Sequence, residues 1–206
     1  MIAMQEAKST KPEAVRDAGG TAEVIAQEPL GVVLNISAWN YPYLVGTNVF
    51  IPALLAGNAV LYKPSEYTPL TGMHIDKLLK EAGIPENVFQ LAIGGASVGE
   101  ALTDLPFNGF FFTGSYATGR RIYEKVAAAM VPCQCELGGK DPVYIADDIA
   151  DVTAVAASTA DGAFYNNGQS CCAVERIYVH EKIYDQYVEA FVKEVRSWKI
   201  GDPFEE

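Results

Sequence analysis

Short apolar runs and amphipathic helical stretches alternate along most of this chain. Residues 30–36, 59–62, 88–93, 109–112 and 133–137 read as strands, and 45–56, 70–82, 97–102 and 118–130 read as helices between them. That alternation permits few architectures. Strands joined through helices pair in parallel, so the expected core is a mostly parallel sheet covered on both faces. The strand runs lack strict polar alternation, as doubly covered strands should. Beyond Gly138 the rhythm continues with strand 143–146, helix 151–164, strand 174–179 and helix 182–198. The fold class expected is α/β: a Rossmann-like parallel sheet with helices on both faces, followed by the start of a second α/β unit.

Helical spacing proposes which faces are buried. In helix 70–82 the apolar side reads as Leu70, Met73, Leu78 and Ala82, and in helix 118–130 as Gly119, Ile122, Val126 and Ala129. The last helix carries Ile183, Tyr184, Tyr187, Val188, Phe191, Val192 and Val195 on its apolar face. Residues 1–28 are polar and Ala-rich. The first twenty, ending in Gly19-Gly20, have no clear period and read as a loose lead-in. The Gly138-Gly139 bend divides the rest into a nucleotide-binding domain, 29–137, and a partial catalytic domain, 138–206. No internal repeat is visible.

Charge narrows the partners. The net charge of −11 over 206 residues argues against nucleic acid or anionic membranes, whose phosphates need basic surface. No signal peptide and no apolar run long enough to span a bilayer is visible. The cysteines are Cys133, Cys135, Cys171 and Cys172. Adjacent and Cys-x-Cys spacings suit neither ordinary disulfides nor zinc, so reduced thiols in the cytoplasm and no metal site are expected. His74 and His180 read as surface positions.

The chemistry concentrates in two places. Gly168-Gln169-Ser170-Cys171-Cys172 puts two thiols after a turn and before the alternating run Val174–Val179. Upstream, Glu136 stands before Leu137 and the Gly138-Gly139 bend. A thiol nucleophile and a carboxylate base are a minimal kit for covalent acyl chemistry. Open parallel sheets bind ligands at the carboxyl ends of their strands. Three such ends carry Ser37-Ala38-Trp39-Asn40-Tyr41-Pro42, Lys63-Pro64-Ser65-Glu66 and Thr113-Gly114-Ser115. Gly114-Ser115 opening a helix suits a pyrophosphate, because free N–H groups and the helix dipole both favour an anion. Lys63 and Glu66 suit ribose hydroxyls, and Glu66 would repel a 2′-phosphate, which favours NAD over NADP. Each piece alone is equally a cap or a solvated turn, and no Gly-x-Gly-x-x-Gly is present.

Together, Ser37–Pro42, Lys63–Glu66, Phe112–Ser115, Glu136–Lys140 and Gly168–Cys171 follow the order and spacing of the NAD(P)-dependent aldehyde dehydrogenase superfamily. From about Pro29 onward the chain resembles its hydrolytic, betaine-aldehyde-type branch. The resemblance implies oxidation of an aldehyde to a carboxylic acid with NAD, through a thiohemiacetal and a thioester on Cys171. Cys172 would be a neighbour of the nucleophile. Glu136 would activate water, and the Asn40 amide with the Cys171 N–H would form the oxyanion hole. Lys63 and Glu66, with Ser65 in the same turn, would hold the adenosine ribose. Gly114 and Ser115 would seat the pyrophosphate, and the Leu137 carbonyl the nicotinamide amide. Ser37, Ala38 and Trp39 would line the cofactor groove, with Gly95 under the adenine side. Family members are more than twice this long and use a C-terminal arm to form homo-oligomers. The chain therefore reads as a truncated piece of a longer enzyme. The alternatives are a non-catalytic dinucleotide-binding fragment and a CoA-acylating enzyme, against which Glu136 argues.

Overall fold

The computed structural model of the protein describes residues 13–202 and 204–205. It divides into two compact units between Leu137 and Gly138. Part of the lead-in, residues 1–12, lies outside the described residues. Where the rest of it was expected to be loose, the chain makes an antiparallel hairpin, β1 (Glu13–Ala18) and β2 (Thr21–Ile25), turning at Gly19-Gly20. Both glycines have positive φ, 65° and 85°, which is the backbone a tight hairpin turn requires. Short-range pairing through a Gly-Gly turn needs no apolar period, and this is why periodicity missed it.

The first unit is built on five parallel strands: β3 (Val32–Ile36), β4 (Ala59–Lys63), β5 (Phe89–Leu91), β6 (Gly109–Thr113) and β7 (Cys133–Glu136). They lie in the order β5-β4-β3-β6-β7. The chain moves outward from β3 through β4 to β5, then returns to place β6 on the other side of β3. The connecting helices are α1 (Leu44–Leu55), α2 (Pro69–Glu81), α3 (Ala96–Leu102) and α4 (Tyr116–Val126).

The two sheet faces carry separate cores. Val33, Val60, Tyr62 and Phe89 pack with Phe50 of α1 and Ile75 of α2. On the other face Leu34, Ile36, Phe110 and Phe112 pack with Ile122 and Val126 of α4, and Leu102 of α3 joins them. Successive residues of β3 thus enter opposite cores, which accounts for its continuous apolar run.

Asn35 is the exception in that strand. It is 0% exposed, opposite Tyr62 and Phe111 in register, and its amide has no hydrogen-bond partner among the described residues. A buried unpaired amide costs about 1–3 kcal/mol. Asn35→Val, β-branched and apolar, is therefore expected to raise stability by about 1 kcal/mol, read as a higher denaturant midpoint at unchanged slope. A fall in the midpoint would mean that the amide holds a contact essential to the fold.

Two helices differ from their sequence reading. On α2 the residues facing the sheet are Gly72, Ile75 and Leu79, whereas Leu70, Met73 and Leu78 are exposed at 76%, 52% and 46%. A Cβ at Gly72 would come within 2.4 Å of the Pro64 ring, so close helix packing selects that face over the larger apolar residues beside it. Helix 118–130 stops at Val126. A 3-10 turn, Ala127–Ala129, follows, and Met130 adopts a left-handed conformation, leaving Ala129 outside the core.

The second unit contains β8 (Asp141–Ile145) and β9 (Val174–Val179), which pair in parallel, with α5 (Val152–Phe164) and α6 (Tyr184–Ser197). Its core is Ile145, Ala156 and Tyr187, with Val143, Ile177, Ile183 and Phe191 packed against them. The alternate residues Tyr144 and Tyr178 are exposed. A short 3-10 turn, Glu181–Ile183, precedes α6, and Tyr184, Val188 and Val192 of its expected apolar face remain on the surface. Among the described residues no helix is long and apolar enough to cross a membrane.

Candidate active site

Parallel pairing puts the carboxyl ends of β3, β4, β6 and β7 along one edge of the sheet. The reversal of strand order between β3 and β6 makes a crevice at that edge, the usual seat of a ligand in an open α/β sheet. The segment from Ser37 to Asn40 leaves β3 at this point. Ser37 is 4% exposed, and its N–H extends the ladder by donating to the Lys63 carbonyl at 3.0 Å. Ala38 and Asn40 are half-buried in the loop, and Trp39 is exposed with its ring edge-on to Tyr67, 6.4 Å between centroids. That ring pair ties the loop after β3 to the loop after β4.

Lys63 ends β4 almost wholly enclosed, 3% exposed. Its stem passes Gly99 of α3, where a Cβ would stand 3.5 Å from Cε. Its ammonium donates to the Pro64 carbonyl at 3.3 Å and lies 3.9 Å from the half-exposed Glu66 carboxylate. Burial pushes the Lys63 pKa down, and Glu66 partly offsets this. An enclosed ammonium with one long hydrogen bond keeps donor capacity for a polar ligand. Ser65 is buried and accepts from the Tyr67 N–H at 3.3 Å, so in this structure its hydroxyl shapes the turn.

Gly114 and Ser115 lead from β6 into α4. The Gly114 N–H donates to the Glu136 carbonyl at 3.0 Å, and the Ser115 hydroxyl caps the helix by accepting from the Thr118 N–H at 3.3 Å. At Gly119 a Cβ would come within 2.5 Å of Leu137 and 3.2 Å of Phe112. The absence of a side chain there lets α4 sit close on the sheet, with its N-terminus at the crevice. Gly95, the residue before α3, has open space where a Cβ would stand. An enclosed cation, an adjacent carboxylate, a capped helix N-terminus and an open glycine suit the ribose and pyrophosphate of a dinucleotide. Glu136 ends β7 with an exposed carboxylate that accepts from Gln134 Nε2 at 3.0 Å, and Leu137 packs against the core beneath α4.

In the second unit the thiols occupy the centre of a turn closed by the Ala173 N–H donating to the Ser170 carbonyl at 3.2 Å. Asn166, Asn167 and Gly168 precede it with φ of 50°, 57° and 72°. Three consecutive left-handed residues are uncommon, and Asn and Gly adopt that conformation most readily. They turn the chain back after α5, and Tyr165 and Ser170 both reach Cys172. The Tyr165 hydroxyl is 3.1 Å and the Ser170 hydroxyl 3.3 Å from Cys172 Sγ, and Tyr165 also donates to Ser170. These hydroxyls hold the Cys172 thiol below the usual range, while burial, then Cys172, pushes the Cys171 thiol up. The Cys171 carbonyl lies against Gly139, where a Cβ would come within 2.6 Å of it.

Tyr165 is the residue of this cluster that sequence reasoning missed. The Asn166-Asn167-Gly168 run is its signal, because it marks a left-handed turn able to fold one flank onto the other. All four cysteines are free. Among the described residues no three His, Cys, Asp or Glu side chains are gathered as a metal site would need. His74 is exposed, with Nδ1 2.7 Å from the Tyr43 hydroxyl. His180 is half-buried, with Nε2 3.9 Å from Asp147.

The family model for the aldehyde dehydrogenase family matches residues 1–206. The chain belongs to the aldehyde dehydrogenase family. It is 37% identical over 198 residues to human 4-trimethylaminobutyraldehyde dehydrogenase, covering 96% of this chain and 40% of that protein. It is 38% identical over 189 residues to betaine aldehyde dehydrogenase of Brucella ovis, covering 91% and 39%. The crystal structure of an aldehyde dehydrogenase from Mycobacterium tuberculosis complexed with NAD+ superimposes with a TM-score of 0.91 at 34% identity. That match covers 98% of this chain and 43% of the other. The chain thus spans about two fifths of the length of these relatives.

Proposed function

We propose that this chain carries the cofactor-binding unit and the thiol of an NAD-dependent enzyme that oxidises an aldehyde to a carboxylic acid. The observation that carries the reading is the carboxyl edge of the first unit, where enclosed Lys63, Glu66 and the capped N-terminus of α4 share one crevice edge. Lys63 and Glu66 hold the adenosine ribose, with Ser65 supporting their turn. Gly114 and Ser115 hold the pyrophosphate at the helix N-terminus, Ser37, Ala38 and Trp39 wall the groove, and Gly95 leaves room for the adenine. The Leu137 carbonyl takes the nicotinamide amide. Bound NAD supplies the hydride acceptor that makes the reaction an oxidation.

The chain's own residues do the rest. Cys171, as thiolate, attacks the aldehyde carbon. The Asn40 amide and the Cys171 N–H donate to the oxygen as it gains charge, the kind of preorganised stabilisation that contributes most in acyl transfer. Glu136 takes a proton from the water that hydrolyses the Cys171 thioester. A carboxylate base in this role favours water over CoA as the acyl acceptor. The free thiols and the acidic surface suit a reducing compartment such as the cytoplasm.

The test couples a titration of NAD binding with NAD reduction in the presence of a panel of aldehydes. Binding with turnover supports the enzyme, and binding alone supports a dinucleotide-binding module. Absence of both overturns the reading. Cofactor choice gives a sharper result. Two unit charges 4 Å apart interact by between about 1 and 4 kcal/mol as the surroundings change from water to partly buried protein. Glu66→Ser is therefore expected to narrow the preference for NAD over NADP roughly tenfold in dissociation constant. Equal affinity for both cofactors in the unaltered protein would remove this role from Glu66.

A further inference from the structure

The chain contains two Asn-Gly dipeptides, Asn108-Gly109 and Asn167-Gly168, and the fold gives them opposite settings. A glycine after asparagine offers a main-chain nitrogen with no Cβ beside it, so that nitrogen can approach the asparagine side-chain carbonyl. Asn108 is clamped to Val32. Its N–H donates to the Val32 carbonyl at 2.8 Å, and its Oδ1 accepts from the Val32 N–H at 2.9 Å. Gly109 is buried in β6, in register with Val33, and a Cβ there would meet Leu30 at 3.2 Å. Asn167 and Gly168 are both exposed, in the left-handed run between α5 and the thiol turn. The Asn167 side-chain amide makes no hydrogen bond among the described residues. Its φ of 57° and ψ of 31° lie in a region that residues with a Cβ occupy at a cost. Rotation of ψ toward extended values brings the Gly168 nitrogen to the side chain. That rotation opens only the single 3-10 turn Tyr165–Gly168 and breaks no sheet ladder.

We propose that Asn167 is a self-modification site, cyclising with the Gly168 nitrogen to a succinimide that opens to isoaspartate and aspartate, while the sheet protects Asn108. In the first step the Gly168 main-chain nitrogen, having given its proton to hydroxide, attacks Cγ of Asn167. The ring C–N bond forms, the bond to the side-chain nitrogen breaks, and that nitrogen leaves as ammonia with a proton from water. Water then adds to a ring carbonyl and a ring C–N bond breaks. Opening at the main-chain carbonyl gives isoaspartate, and opening at the side-chain carbonyl gives aspartate. Overall one water is consumed and one ammonia released, with no change of oxidation state. Either product adds a carboxylate, and isoaspartate also lengthens the main chain by one carbon, in the segment leading into Cys171 and Cys172. The assignment does not depend on aldehyde turnover.

The test incubates the whole folded chain at neutral and at mildly alkaline pH in heavy-oxygen water. Peptide mass spectrometry reads conversion at each Asn-Gly, and heavy oxygen in the product marks conversion during the incubation. An isoaspartyl methyltransferase, used as a reagent, separates isoaspartate from aspartate. Reaction at Asn108 waits on local opening of the sheet, so Asn167 is expected to convert at least about tenfold faster. Conversion at Asn167 should speed up with pH, and isoaspartate should exceed aspartate. Hydroxylamine, which cleaves a succinimide, should cut the chain after Asn167. In denaturant, where the protection is gone, the two rates should converge to within about threefold. Asn167→Gln, whose longer side chain must close a larger ring, should stop conversion there and leave Asn108 unchanged, with far-ultraviolet circular dichroism confirming the fold. Equal rates at the two sites of the folded chain, faster conversion at Asn108, or conversion at Asn167 without isoaspartate would each overturn the proposal. So would an intact Asn167 in the folded chain over a time in which the denatured chain converts.

Discussion

Cys171→Ala is expected to abolish the proposed aldehyde oxidation, a loss on the order of 10⁴-fold or more, whereas Cys172→Ala is expected to retain most of it. Both are read as NAD reduction with an aldehyde that the unaltered protein oxidises. The contrast is informative because acidity points the other way. The Ser170 and Tyr165 hydroxyls beside its sulfur draw the Cys172 thiol down, and burial pushes the Cys171 thiol up. If thiolate population alone decided the chemistry, Cys172 would carry it. Hydrogen bonds that stabilise a thiolate also lower its nucleophilicity, and covalent catalysis rewards the sulfur held in line with the carbonyl. The Cys171 carbonyl packs against Gly139, whose missing side chain lets the first residues of the second unit lie on the turn. Loss of turnover in Cys172→Ala with turnover kept in Cys171→Ala would reverse the assignment.

Glu136→Gln is expected to lower steady-state turnover by about 10²–10⁴-fold and to leave acylation of Cys171 intact. The amide keeps the shape of the side chain but cannot take a proton from water. A thioester should accumulate, seen as a burst of one equivalent of reduced cofactor and as an acyl mass on the peptide containing Cys171. The side chain is exposed at the end of β7, and its contact with Gln134 is one that the amide can retain, so a folding defect is not expected to imitate the result. Normal turnover in Glu136→Gln with no trapped acyl group would exclude Glu136 as the base.

Much of the fold was legible before the structure because its signals are local. The run Val32–Ile36 enters two cores at once and so is apolar at almost every position. The alternation from Val174 to Val179 matches a strand with only one face covered. What failed locally has local explanations. The β1–β2 hairpin rests on a Gly-Gly turn, and β2 is exposed at every position. On α2 the buried face was chosen by the space beside Pro64, not by size, so Gly72 faces inward and Leu70 outward. At the candidate site the residue types and their order were readable. The enclosure of Lys63 by Gly99 and the reach of Tyr165 to Cys172 were not, since both join residues that no periodicity relates.

From Val32 onward the amino-acid sequence by itself determined which segments are strands and helices, that the central sheet is parallel, and which motifs stand at strand ends. These follow from apolar period, chain punctuation and connection length, which act over a few residues. Only the tertiary structure decided that β6 returns to the side of β3 opposite β4. That choice puts Ser37–Asn40 and Gly114-Ser115 at one crevice. Strand order is a property of long-range packing: any of several neighbours would bury the same apolar runs, and the sequence pattern of a strand does not name its partner. The unequal acidity of Cys171 and Cys172 was likewise decided in three dimensions. Burial pushes the Cys171 thiol up, and the Ser170 and Tyr165 hydroxyls, which the left-handed turn brings within reach of its sulfur, draw the Cys172 thiol down.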